Sequence, residues 1–353
     1  MSIVTHTRCS KSKKIRTNNP QPDTTPFNIT YGTGSVQGTL ATDTLHMGPL
    51  SSSLTFGLAS SVSSEFRSYP MDGILGLGRG SSSTTSLLSI FPNKLFALHL
   101  SRAADGNDGE LNVGEVNTAR YSGDITYMSC VESSSEFWEI PLDAASVDGK
   151  SVALGGKRTA IVDSGTSFVL LPPDDALALH SGIQGFQQDG EAFLVPCDSK
   201  AGIQFSFGGR AFDVSSEDWM GAEVKGGLCR SNIIGRQTFG EGQWLVGDVF
   251  LRNVYAVFDG AAGRVGFGVK SKDGSSSSSA SSTGGVSGAS ATVMATGTSG
   301  PGSSAMPTST SAGGSAEPTA AAENQPQGQA GGAARTTSGL VWTLAAGVIS
   351  LLI

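Results

Sequence analysis

"TAIVDSGTSFVLLPP", residues 159–173, sets one acid, Asp163, in a turn between two apolar runs. Ala160 to Val162 lead into the turn and Phe168 to Leu171 lead out, both short enough to be buried strands. An aspartate in a tight turn often bonds only its own backbone. Here Ser164 and Thr166 add hydroxyls that can donate to the carboxylate and fix its orientation, which a general base needs and a solvated turn does not. Catalysis by carboxylates alone takes two in contact. They cannot both ionise, so one keeps a proton as acid while the other activates water. The stretch therefore raises the question of Asp163's partner.

Around it, strand signals dominate. "FNITYGTGSVQGTLATDTLHMG" (27–48) alternates apolar and polar residues about a glycine-rich centre, predicting a hairpin with its tip near Gly32–Gly34. "QFSFGGRAFDV" (204–214) predicts a second, turning at Gly208-Gly209, and "VYAVFDGAAGRVGFG" (254–268) a third near Gly260–Gly263. Helical patterns are short: "TTSLLSIFP", and "PDDALALHSGI", which opens with proline and paired acids as a helix start should. The class is mainly β. An apolar-apolar-glycine run ends a strand twice, as Ile74-Leu75-Gly76 and as Leu245-Val246-Gly247, a coarse internal duplication.

The chain has 353 residues, long enough for more than one lobe, but 48 are glycine. From 271 to 338 the sequence is almost wholly Ser, Gly, Ala, Thr, Pro and Gln, too polar and small to offset its ordering entropy, and reads as a disordered stalk. The net charge of −7 argues against nucleic-acid binding. Cys9, Cys130, Cys197 and Cys229 fit no zinc spacing, so no metal site is expected, and no cofactor. Cys197 and Cys229 bracket a segment rich in turn signals, where a disulfide would close a long loop and suit an oxidising compartment. Asn28 opens the sequon Asn28-Ile29-Thr30, a candidate glycosylation site.

The ends differ in kind. "SIVTHTRCSKSKK" carries no apolar core of a secretory signal. "LVWTLAAGVISLLI" (340–353) is apolar but shorter than the ~20 residues of a spanning helix, and with small residues and a polar spacer before it matches a lipid-anchor attachment signal at Asn324, Gly328 or Gly331. A tail anchor and a frayed apolar end are the other readings of that stretch. An anchor signal without an entry signal implies that the sequence lacks its beginning.

Other chemistries find no support. His6, His46, His99 and His180 are scattered, with none beside a serine or cysteine in a nucleophile elbow. "DGKS" (148–151) lacks the first glycine of a phosphate loop, and "GILGLGRG" has its glycines in the wrong register for a dinucleotide.

"AIVDSGTSFVLLPPDD" resembles the second Asp-Ser/Thr-Gly active-site loop of pepsin-like aspartic proteases. "ITYGTGSVQGTLATDTL" resembles their flap hairpin, "MDGILGLG" (71–78) the strand behind the first catalytic loop, and "FWEIPLDAASVDGK" (137–150) the strand pair before the second. "WLVGDVFLRNVYAVFDGAAGRVGFG" (244–268) resembles the matching C-terminal segment, and Cys197 and Cys229 stand where that family's C-terminal lobe has a disulfide. The resemblance implies a bilobal pepsin-like fold, with an irregular segment at 1–26 and a partial N-terminal lobe with flap at 27–125. A C-terminal lobe at 126–270, the stalk at 271–338 and the apolar tail at 339–353 would follow. It implies an aspartic endopeptidase acting on peptides or proteins, in which Asp163 is one catalytic aspartate, supported by Ser164, Gly165 and Thr166. Ser164 would hold an interlobe hydrogen-bond network, and Tyr31, Gly32 and Thr33 would cover the substrate. Fungal yapsin-like members with stalks and lipid anchors look nearest, implying a monomer at the cell surface or secreted.

One element departs from the pattern. No Asp-Thr-Gly-Ser loop precedes the flap, and Asp23 lacks the following glycine and stands only eight residues before Tyr31, so it is rejected. Three explanations follow: a fragment or mis-started form of an active protease, an inactive pseudoprotease that binds peptides or proteins at the surface, or two chains that each contribute one Asp163.

Overall fold

Alternation and turn chemistry set the ladders, and the second hairpin displays the rule. Ile203–Phe207 pairs antiparallel with Arg210–Val214, Phe207 opposite Arg210. The two residues between them, Gly208 and Gly209, have φ of 58° and 78°, the left-handed pair that a two-residue hairpin turn demands. Ile203, Phe205 and Phe207 point into the core, with Gln204 and Ser206 between them less buried. A computed structural model describes residues 2–5, 21–31, 34–47, 49–67, 73–79, 87–102, 104, 108–132, 137–271 and 350–352.

The first hairpin pairs Gln21–Tyr31 with Gly34–Met47, which in turn pairs with Leu50–Val62. Its tip, residues 32 and 33, lies outside the described residues. Strand structure begins earlier than the irregular segment read at 1–26 allows: Ser2–Thr5 and Gln21–Pro26 are extended. Ser2–Thr5 lies parallel to Leu50–Val62 and antiparallel to Gly73–Gly76, partners distant in sequence, so no local alternation announces it. The third hairpin, Val254–Asp259 with Arg264–Lys270, joins a five-stranded sheet with Leu95–His99, Glu110–Val113 and Tyr121–Ser129. That sheet mixes strands from both halves of the chain, with Phe96 stacked on Phe258 at 4.6 Å. The fold is mainly β and bilobal, of the pepsin-like kind.

Helix is sparse. Pro173–His180 forms as expected, with proline in its first turn and Asp174 and Asp175 beside it. Of "TTSLLSIFP", residues 87–92 are described and form 3-10 turns, at Leu87–Ile90 and from Pro92 on. Among the described residues no helix is long and apolar enough to cross a membrane.

Cys197 and Cys229 are disulfide-bonded, Cα atoms 4.9 Å apart, joining the ends of neighbouring strands. Cys130 is unbonded, and burial pushes its thiol up to about 11. Cys9, the stalk from 272 on, and the candidate attachment residues Asn324, Gly328 and Gly331 lie outside the described residues.

The duplication read in the sequence is visible as two strand arrangements. In the second half Gln243–Val246 lies between Arg158–Val162, parallel to it, and Val169–Leu171, antiparallel. In the first half Gly73–Gly76 lies between Ser2–Thr5 and Ser350–Leu352, both antiparallel. Among the described residues, then, one apolar strand has a parallel neighbour that ends in an acid, and the other does not.

Candidate active site

The site is a backbone clamp closed around one carboxyl group. Arg158–Val162 delivers the chain to Asp163, Val169–Leu171 carries it away, and Gln243–Val246 lies between the two. The Asp163 N–H donates to the Val246 carbonyl at 3.0 Å, Gly247 N–H to Phe168 O at 3.0 Å, and Asp248 N–H to Thr166 O at 2.8 Å. Gly247 is required by space: a Cβ there would stand 1.9 Å from the Thr166 carbonyl oxygen and 2.6 Å from that of Phe168. The run Leu245-Val246-Gly247 thus works as the strap of the loop.

Inside the clamp Asp163 is fully buried. Gly165 N–H donates to Oδ1 at 2.9 Å and the Thr166 hydroxyl to Oδ2 at 2.7 Å. Burial pushes its pKa up to about 7; the bonds from Thr166 and Gly165 hold it down, and the nearby Asp248 charge adds to the rise. Asp248 is itself pushed up to about 6 by burial, against the pull of Arg252. The consequence is chemical: below neutral pH Asp163 is a carboxylic acid with a proton to give, held in one orientation.

Three further side chains brace the loop. Asp175, in the first turn of the helix after it, is buried and accepts from Arg158 at 2.6 and 2.9 Å and from the Trp244 indole at 2.8 Å. This pins the start of the Asp163 strand to the helix that follows the loop.

The structure brings together Asp163, Gly165 and Thr166 of the residues read from the sequence. Ser164 is half-buried, and the interlobe network read for it would involve residues outside those described. Tyr31 ends its strand buried, edge-on to Phe66 at 5.3 Å within a small core that includes Phe27, Val36 and Val62. Burial raises its phenol pKa. Gly32 and Thr33 lie outside the described residues. Asp23 is exposed and accepts from Thr25, in keeping with its rejection as a partner. Asn28 is exposed on the flap strand, facing away from Phe27 and Tyr31.

Sequence reasoning missed Asp248, and Gly247 as a close-approach position, although the apolar-apolar-glycine duplication was the signal for both. It also missed His180 and Ser231, 2.9 Å apart. That pair is sealed in the core, the imidazole stacked on Phe193 and pushed down to about 4 by burial, so it is a neutral packing element and no nucleophile.

A family model described as eukaryotic aspartyl protease matches residues 5–270. The chain belongs to that family. It is 42% identical over 255 residues to "Aspartic-type endopeptidase ctsD" of Aspergillus fumigatus, covering 69% of this chain and 53% of the relative. It is 39% identical to "Probable aspartic-type endopeptidase CTSD" of Arthroderma benhamiae, covering 69% and 50%. With "Pepsin A" of Sus scrofa the identity is 32% over 256 residues, covering 68% of this chain and 65% of that one. The chain spans about half the length of these fungal relatives.

Proposed function

We propose that the protein is an aspartic endopeptidase in which Asp163 is one of two cooperating carboxyl groups. The observation that supports this most is the geometry at Asp163: Gly165 N–H and the Thr166 hydroxyl fix the plane of its carboxyl, and burial raises its pKa to about 7. In such a pair the ionised partner takes a proton from water, the hydroxide oxygen bonds to the substrate carbonyl carbon, and the protonated carboxyl polarises the carbonyl oxygen. Transfer of a proton to the amide nitrogen then releases the amine as the C–N bond breaks. The partner carboxylate is not found among the described residues. The substrate is a peptide or protein, taken under the Tyr31 hairpin, and no cofactor enters.

The test is hydrolysis of a denatured protein near pH 4 by the full-length protein and by Asp163→Asn. Cleavage that the substitution abolishes supports the reading. Equal cleavage by both overturns it.

A second reading, an inactive peptide-binding relative, is favoured by the first half, where Gly73–Gly76 has no parallel neighbour ending in an acid and Tyr31 is packed inward. Peptide binding without turnover by both forms would select it.

The same proposal places the protein, as a monomer, at the cell surface or in the secreted fraction, in the yapsin-like manner. The disulfide supports an oxidising route, the apolar tail a lipid anchor, and exposed Asn28 an N-glycan. Release of the protein from intact cells by a phosphoinositide-specific phospholipase tests the anchor, and a mass shift on enzymatic deglycosylation that Asn28→Gln removes tests the glycan.

A further inference from the structure

Three tryptophans fall among the described residues, and their indole nitrogens differ. Trp219 Nε1 is buried without a partner, and Trp244 bonds Asp175 within the second half. Trp138 reaches into the first half, where its Nε1–H donates to the Leu77 carbonyl at 2.8 Å in a buried contact. Leu77 directly follows the Gly73–Gly76 strand, the first-half counterpart of the strap beside Asp163. The backbone of Trp138 faces the other way: its carbonyl accepts from Val162 N–H at 3.0 Å, and Val162 immediately precedes Asp163. The indole is fixed between the halves by edge-on contacts to Phe96 at 5.9 Å and Phe258 at 5.3 Å, both in the sheet that mixes strands of the two.

We infer that Trp138 is a positioning residue that ties the end of the first half's Gly73–Gly76 strand to the backbone beside Asp163, and so sets where Asp163 stands relative to that half. This rests on the two-carboxylate reading above. A buried indole usually finds a hydrogen-bond partner somewhere. What separates Trp138 from core filler is the route: one residue carries both bonds, from Leu77 O to the side chain and from the main chain to Val162 N–H. A shift of the first half against the second therefore pulls on the strand that delivers the catalytic group, with no flexible side chain between to absorb it.

The test compares Trp138→Phe with Trp219→Phe in the full chain, following the Asp163 carboxyl by carbon-13 NMR titration and assigning it with Asp163→Asn. Trp138→Phe keeps an aromatic ring and removes the N–H. With Val162 less tightly held, water reaches the carboxyl and its midpoint falls by ~0.5–1 pH unit. Trp219→Phe removes an indole nitrogen that bonds nothing, and its Asp163 midpoint stays in place. If Trp138→Phe does not fold, benzothienylalanine at 138 keeps the ring outline, lacks the N–H, and gives the same readout. A folded 138 variant with an unmoved midpoint, or equal movement in both tryptophan variants, overturns the inference. Where peptide is hydrolysed, kcat of the 138 variant falls ~3- to 10-fold with KM within about twofold. A wild-type protein that hydrolyses nothing refutes the proposed function, and the titration then decides the tether by itself.

Discussion

Replacing Asp163 with asparagine should make the protein more stable at pH 8 and no more stable at pH 4. The carboxyl titrates at about 7 when folded against a model value of 3.8. Between those values the folded state binds a proton that the unfolded state has released, so Asp163 lowers stability progressively as pH rises from about 4 through 7. The full displacement corresponds to on the order of 4 kcal/mol above pH 7. Asparagine removes the charge but keeps one acceptor oxygen. One of the two donors, Gly165 N–H or the Thr166 hydroxyl, then meets an NH2 group, which takes back about 1–3 kcal/mol. The expected net gain is about 1–3 kcal/mol at pH 8, with no gain at pH 4, where the folded wild type is protonated at this position and the unfolded chain, near its model value of 3.8, is about half ionised. Urea unfolding of both proteins at pH 4, 6 and 8 measures it, and differencing the two cancels other titrating groups. His180 must be cancelled in this way: held down to about 4, it contributes stability that grows from pH 4 toward 6.5, opposite in sign to Asp163. Two parallel stability curves, offset by a constant, would refute the buried-acid account of this site.

Two further perturbations probe the same clamp, and a third probes the disulfide. Asp248→Asn should lower the Asp163 midpoint, since the Asp248 charge helps to raise it, and carbon-13 titration of Asp163 reads the change; an upward move contradicts the electrostatics. Gly247→Ala should cost about 1–3 kcal/mol or more and loosen amide protection at Thr166 and Asp248, because its Cβ has nowhere to stand; unchanged hydrogen exchange there would show that the strap has slack. Cys197→Ser should lower unfolding free energy by ~3–4 kcal/mol through the released loop, read by urea denaturation of oxidised wild type and variant.

What could be read from sequence was what is local. The Gly208-Gly209 turn, the proline-led helix at 173 and the polar-flanked acid at 163 are written in adjacent residues, because turn, cap and loop chemistry act over two to four positions. The cysteine pair was legible because the residue types admit few other uses. Over 87–92, the described part of the second helical stretch, Leu87 and Leu88 are buried from 3-10 turns, and four residues suffice to place them. The supports of Asp163 were illegible for the opposite reason. Thr166 meets Asp248 across 82 positions, and Trp138 meets Leu77 across 61, through single backbone carbonyls that leave no periodic trace. Ser164 shows the limit within the loop itself. Composition gives it the same donor as Thr166, and only the backbone path decides which hydroxyl reaches the carboxyl.

The other buried acids explain why Asp163 stands apart. Asp175 is paired with Arg158, Asp218 with Arg102 and Asp259 with Arg264, while Glu139 accepts from Thr159 and Gln243. Three of these four are neutralised by a guanidinium, which is how a fold buries a carboxylate at tolerable cost. Among the described residues Asp163 has no cation partner; its nearby charge is Asp248, of the same sign, and burial raises its pKa. A fold that has arginines to spare for three structural acids leaves this one unpaired at the turn where two strands diverge. A packing role would be served as well by asparagine, and better above pH 7. On the proposed two-carboxylate reading the carboxyl is useful there because its proton can be given and retrieved, with a second group holding the negative charge while Asp163 does not. The environment of Asp163 thus argues for its partner more directly than any motif does, and the stability of Asp163→Asn at pH 8 measures how much folding free energy the site gives up to keep an acid in that place.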